Sequence, residues 1–341
     1  MRRLFIPSYT QGIVSTIYRR IIRIGEKSIG ITLPRQWLSA LDVGVGDVME
    51  VSLVGKVIVL KPVTQEGGEA NEVSITMEGS MDEAMRMIIA SYIEGYDNVE
   101  LLGQKDTIRR AYSKVESKLP GSLMLESDGS VLIKVATSEA NVDLNEVINS
   151  MANILNSMFT KFLEYLETNR ESLLKEILDL DEQMDKLYFL ALRTIKKLSF
   201  RDPKRAIDDT IVVKNLEHAA DALDRLSNAY MRIQITKCRP EISNKLRAVW
   251  NYIMRSVYSY LDNNVSNALK ILVDREHMLN SILELATMGC AESSDLLAAT
   301  IHESQLIVAL AADIAEAAFS RHVRNVAKPT KTLEAEEKGE E

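Results

Sequence analysis

Two cysteines, few glycines after residue 129 and no long apolar run set the first limits on this chain. Cys238 and Cys290 are too few for a disulfide framework or a four-cysteine zinc site, and we expect ordinary thiols. No apolar stretch approaches the ~20 residues that a membrane-spanning helix needs. The start of the chain has only a short apolar run, so no secretory signal is predicted. We therefore expect a cytoplasmic protein without membrane insertion.

Charge is distributed unevenly along the chain. The net charge of the 341 residues is −8, yet residues 1–62 carry nine Lys and Arg against four Asp and Glu. Residues 63–140 carry seven against fourteen. This pattern argues against nucleic-acid binding by the whole chain but leaves it open for the basic head.

Glycine and proline divide the chain into a strand-rich part and a helical part. Thirteen of the fifteen glycines lie in residues 1–129, and from 130 to 338 only Gly289 and three prolines interrupt the sequence. Such a long stretch with few breakers predicts helices. The predicted fold class is multidomain α+β. Its segments are a β head at 13–62, a linker at 63–71, a middle segment at 72–140, an all-α body at 142–327, and a disordered tail at 328–341.

The head has about 50 residues, too few to bury a good core alone, so we expect it to pair with a second copy. Its stretch EKSIGITLPRQWLSALDVGVGDVMEVSLVGKVIVLKP resembles the AbrB/SpoVT swapped-hairpin family. The resemblance implies a β barrel formed by an interleaved homodimer, and DNA binding through basic residues near the first strands and loop. The alternative is that the basic residues are only the solvated face of a dimerisation module. The candidate DNA-binding residues are Arg19, Arg20, Arg23, Lys27 and Arg35.

The middle segment reads as a β-α-β-α-β-β unit. Ser80 is in position to cap its first helix, with Glu83 three residues later, and Asp128-Gly129 is typical of a hairpin turn. It has no glycine-rich phosphate loop. A spacer or interaction domain and a small-ligand sensor both remain open.

The body shows apolar residues at helical spacing in six segments, three before Pro240 and three after it. This predicts an internal duplication, with one three-helix repeat at 142–239 and another at 240–327. Antiparallel helices with short connections form bundles, so the apolar stripes can be buried without a cofactor.

Acidic pairs lie on two helices of the first repeat. Asp181 and Asp185 are four residues apart and share one face, as do Glu217 and Asp221, with Asp224 one turn further on. Four carboxylates on neighbouring helices could bind one cation. Acids at this spacing are equally typical of a solvated face.

The stretches DLDEQMDKLYFLALRTI and KNLEHAADALDRL, with the duplicated helices, resemble the PhoU family of phosphate-uptake regulators. The resemblance implies a metal site, with iron or zinc on Asp181, Asp185, Glu217 and Asp221. In the second repeat the corresponding positions read Glu276-x-x-x-Asn280 and Gln305-x-x-x-Ala309, which keep one carboxylate of four. The resemblance therefore predicts a metal site in the first repeat only.

The two resemblances together imply a regulator of phosphate uptake and homeostasis that is not an enzyme. It would contact the ATPase of a phosphate ABC transporter or a phosphate-signalling protein. One alternative is an interaction adaptor whose head only dimerises. The other is a metal-binding helical-bundle enzyme or metal store, although no zinc-protease or nucleophile motif is present and no catalytic residue is predicted.

Overall fold

The structure is a computed structural model that describes residues 16–26, 28–54, 57–62, 72–77, 79–127, 129–136, 142–233, 238–287 and 294–327. The predicted linker at 63–71 and tail at 328–341 lie outside these residues. The chain divides into two compact units, residues 1–69 and residues 70–341. The middle segment and the helical body therefore belong to one unit.

The first unit consists of two hairpins and one short helix. Strand β1 (Ile22–Ile24) pairs antiparallel with β2 (Ser28–Gly30), helix α1 (Arg35–Ala40) follows Pro34, and β3 (Met49–Val54) pairs antiparallel with β4 (Val57–Pro62). The two hairpins form separate two-stranded sheets, so the described strands of one chain do not close into the expected barrel.

The head leaves its apolar side chains in solvent. None of its described residues between 16 and 62 is buried. Leu53 and Ile58, which face each other across β3 and β4, are 74% and 66% exposed. The expectation that this segment cannot build a core alone is confirmed for the described residues.

The second unit begins with the predicted β-α-β-α-β-β segment. Its elements are β5 (Glu72–Thr76), α2 (Met81–Glu94), β6 (Asn98–Leu102), α3 (Lys105–Val115), a 3-10 turn (Glu116–Lys118), β7 (Ser122–Ser127) and β8 (Ser130–Val135). The sheet order is β5-β6-β8-β7, with β5 and β6 parallel and the other pairs antiparallel. The Ser80 hydroxyl accepts a hydrogen bond from the Glu83 amide, so the predicted cap is present. Asp128 of the predicted turn lies outside the described residues.

Six long helices follow, as the apolar spacing predicts. They are α4 (Leu144–Thr168), α5 (Ser172–Leu198), α6 (Pro203–Arg232), α7 (Arg239–Leu261), α8 (Val265–Leu283) and α9 (Ser294–Val326). Pro203 and Pro240 lie in the first turns of α6 and α7, where the missing N–H costs nothing. One continuous apolar core runs through both sets of three helices. Between the sets, α6 packs along α9 and α4 packs on α7.

A buried arginine fastens the middle segment to the helical body. Arg193 of α5 is fully buried, and its Nη1 donates to the carbonyl oxygens of Tyr92 and Tyr96 at 2.9 and 2.8 Å. Its Nη2 donates to Asp97 Oδ1 at 2.5 Å, an oxygen that also accepts from Lys197. A buried charge with this many partners is satisfied, whereas removing a partner would leave it uncompensated.

The prediction of ordinary thiols is wrong for Cys238, which is disulfide-bonded. Cys290, the only other cysteine of the chain, lies outside the described residues. The spacing of two cysteines in a sequence does not say whether the fold brings their sulfur atoms together, and bonding depends on that distance.

Candidate functional site

The structure brings the predicted acidic residues together on two neighbouring helices. Asp181 and Asp185 lie on α5, and Glu217 and Asp221 lie on α6, which packs against α5. Asp224, one turn further along α6, is close enough to affect Asp181 electrostatically. We call these five residues the carboxylate cluster.

Burial and mutual repulsion perturb the cluster. Burial raises the pKa of Asp181 to about 7, and the charges of Asp224, Asp185 and Asp221 add to this rise. Burial also raises the pKa of Glu217 to about 7, with Asp221 as the strongest of the neighbouring charges. Near neutral pH these two carboxyls therefore hold part of their protons.

Glu217 has one oxygen in an unusual state. Its Oε2 is buried and accepts no hydrogen bond from the part of the chain that the structure describes. The Nε2 atom of His218 lies 3.5 Å from it, close enough for an ion pair if the imidazole is protonated. A buried acceptor without a hydrogen bond costs about 1–3 kcal/mol, so this oxygen is free to accept from a ligand.

Two cations approach the cluster. Lys118 Nζ, from the 3-10 turn of the middle segment, lies 2.5 Å from Asp185 Oδ2. Burial lowers the pKa of Lys118, but the hydrogen bond and charge of Asp185 outweigh burial and raise it. Arg225 Nη1 lies 3.7 Å from Asp221 Oδ2, while the same guanidinium forms a two-bond fork with Glu303 of α9 at 3.0 and 2.9 Å. Five carboxylates thus meet two positive side chains.

The fit of a metal ion to this arrangement has two sides. Carboxylate oxygens are suitable ligands for hard cations, and the free Glu217 oxygen is an available donor. Yet within the described ranges no group of three or more His, Cys, Asp or Glu side chains is placed to hold one metal ion. In this arrangement the residues do not fit a bound metal. Iron or zinc on Asp181, Asp185, Glu217 and Asp221 stays a prediction.

The candidate DNA-binding residues lie on the exposed head. Arg19 and Arg20 precede β1, Arg23 lies within it, and Arg35 begins α1, all four with exposed side chains. Among the described residues none of these arginines forms an ion pair, so their charges are available. Lys27 lies outside the described residues.

Three charged residues that matter at the site have no signal in the local sequence. Lys118 and Arg193 act across the contact between the middle segment and α5, and Arg225 joins the two repeats through Glu303. Each contact joins residues that are 67 or more positions apart. Asp224, by contrast, follows from the same helical spacing as the predicted acids.

The fold and the site define a class of regulatory protein, in which a duplicated helical body is joined to a small head that exposes its apolar residues. Residues 148–229 match the family model described as the PhoU domain. Residues 22–68 match the model described as antidote-toxin recognition MazE, bacterial antitoxin. Both resemblances drawn from the sequence are confirmed, and both families are regulatory.

The PhoU match covers most of α4, all of α5 and most of α6, and so includes the whole carboxylate cluster. A search of curated proteins found no match, and a search of solved structures found none either. Among the described helices, none combines the length and apolar character required to cross a bilayer.

Proposed function

We propose that this chain regulates phosphate uptake and phosphate homeostasis and does not catalyse a reaction. The match of residues 148–229 to the PhoU domain carries this proposal, because it covers the helices that hold the carboxylate cluster. The head, matched separately, supplies a module of a second regulatory family.

A homodimer formed through the head is part of the proposal. The described head residues include exposed Ile, Val and Leu side chains on both hairpins, and none of them is buried. Such a surface is unfavourable in water and is typical of an interface that a second copy covers. Two interleaved copies would also join the two open hairpins into one core.

DNA binding by the paired heads is the second part. Arg19, Arg20, Arg23 and Arg35 are exposed and lie on one small basic unit. Arginine contacts to phosphate give affinity, and a two-fold dimer would address two half-sites. Lys27 belongs to the same proposed set by its sequence position.

The proposed partner of the body is the ATPase of a phosphate ABC transporter or a phosphate-signalling protein. Uptake of labelled phosphate in cells that lack the chain tests the regulatory role. We expect uptake to lose its response to phosphate supply, and the full chain to restore that response. Uptake that responds normally without the chain would contradict the proposal.

A triple alanine variant tests the head separately. DNA retention should fall when the head arginines are removed, with the dimer mass unchanged and the salt slope reduced by about 0.9 per lost phosphate contact. A matched triple variant in exposed basic residues of the second unit should leave retention unchanged. Equal retention in wild type and both variants supports the adaptor alternative, in which the head only dimerises. The test set is Arg19, Arg20 and Arg23; the control set is Arg86, Lys114 and Lys134.

A further inference from the structure

The contact between Lys118 and Asp185 places a side chain of the middle segment in the carboxylate cluster. Lys118 Nζ lies 2.5 Å from Asp185 Oδ2, and the Asp185 side chain is only 15% exposed. The lysine is also within electrostatic range of Asp181 and Glu182. The contact is therefore a partly buried charge pair rather than a solvated surface pair.

The backbone around Lys118 holds this position. The 3-10 turn Glu116–Lys118 follows α3 and packs against α5. The next residue, Leu119, is buried in the core of the middle segment, and Pro120 accepts a hydrogen bond from the Tyr92 hydroxyl. Further along α5, Arg193 fastens the same segment through Tyr92, Tyr96 and Asp97. The turn cannot move away from α5 without breaking packing on both sides.

The positive charge of Lys118 bears directly on what else the cluster can bind. A divalent metal on the cluster would lie about 2.0–2.6 Å from carboxylate oxygens, and thus within a few ångströms of an ammonium on Asp185. Like charges at this distance repel strongly where water is partly excluded. Lys118 and Arg225 also approach two of the four predicted ligands, Asp185 and Asp221.

We propose that Lys118 is the built-in cation of the carboxylate cluster, so that the cluster is a docking socket for the middle segment and not a resident metal site. The ammonium offsets part of the excess negative charge on α5 and α6. Docking of the turn and binding of a metal ion at Asp185 exclude each other. The proposal gives the middle segment a function, which is to control access to the cluster.

Zinc binding to the full-length chain tests this, because it does not depend on phosphate or on any regulatory activity. The chain is stripped with a chelator and titrated with Zn²⁺ alone by calorimetry, as wild type and as Lys118→Met. Methionine keeps the apolar stem of lysine, and Lys118→Gln serves as a second variant if the first does not fold. We expect Zn²⁺ to bind the variant about tenfold or more tightly than wild type. Adding Asp185→Asn to Lys118→Met should return the affinity to the wild-type level.

Lys114→Met is the matched control, since Lys114 is an exposed lysine on α3 of the same segment. It removes the same charge from the chain, and we expect wild-type zinc binding. Wild type that binds Zn²⁺ as tightly as Lys118→Met, whether both are strong or both are weak, would overturn the proposal. So would an equal gain from Lys114→Met, because the effect would then be one of net charge.

Discussion

Asp181→Asn tests the electrostatic account of the carboxylate cluster. Burial and the charges of neighbouring acids raise the pKa of Asp181 from the ordinary 3.8 to about 7. The folded chain therefore binds this proton more tightly than the unfolded chain does. Folding stability contributed by this group is present at acid pH and is lost as the pH rises from about 4 to 7. Asparagine has nearly the same shape but cannot ionise, so it should remove this loss.

The magnitude follows from the difference between the two pKa values. A change from 3.8 to about 7 corresponds to roughly 4 kcal/mol at 1.36 kcal/mol for each pH unit. Solvent reaches the side chain, and several acids share the repulsion, so we expect about 1–2 kcal/mol of stabilisation at pH 8. The gain should shrink towards pH 4, where the aspartate of the unfolded chain also regains its proton.

Urea unfolding with chelator present, at pH 8 and at pH 4, measures the effect. Asp179→Asn is the control, because Asp179 is an exposed aspartate on the same helix two residues away. It should change the free energy of unfolding by less than about 0.5 kcal/mol at both pH values. A variant of Asp181 that is no more stable than wild type at pH 8 would refute the reasoning.

Three further changes test the fold and the dimer. Arg193→Leu should destabilise the chain by about 3–5 kcal/mol in urea, because it breaks a fully buried ion pair, whereas Lys196→Ala, at an exposed pair on the same helix, should cost about 0–1 kcal/mol. Similar losses in both would mean that the buried clamp is not special. Tyr260→Phe removes a buried hydrogen bond to an aspartate of α6 and should cost about 1–3 kcal/mol, and a neutral result would contradict the importance of that contact. Leu53→Lys, on the exposed face of the head, should convert a dimer into a monomer by light scattering, while Leu123→Lys, at an exposed position of the middle sheet, should leave the mass unchanged.

The helices and the acidic pairs could be predicted because both depend on local spacing. Apolar residues recur every three or four positions along α4 to α9, and the same period places Asp181 near Asp185 and Glu217 near Asp221. Breakers at Pro203 and Pro240 mark the starts of two helices. The sequence therefore contains the architecture of the body and the members of the cluster.

The contacts between distant parts of the chain could not be predicted in this way. The docking of Lys118 on Asp185 joins residues 67 positions apart, and Arg193 meets Asp97 over 96 positions. Neither lysine nor arginine carries a local pattern that names its partner. The bonded state of Cys238 has the same origin, since it depends on a distance that only the folded chain defines.

The most direct test of the regulatory role is co-purification of the full-length chain from phosphate-rich and phosphate-starved cells, followed by identification of the bound proteins and DNA. The account predicts that the phosphate transporter ATPase or a phosphate-signalling protein co-purifies in an amount that changes with phosphate supply. It also predicts that the chain is recovered as a dimer. Recovery of the same proteins at the same level in both conditions, with no component of phosphate uptake among them, would contradict the central claim.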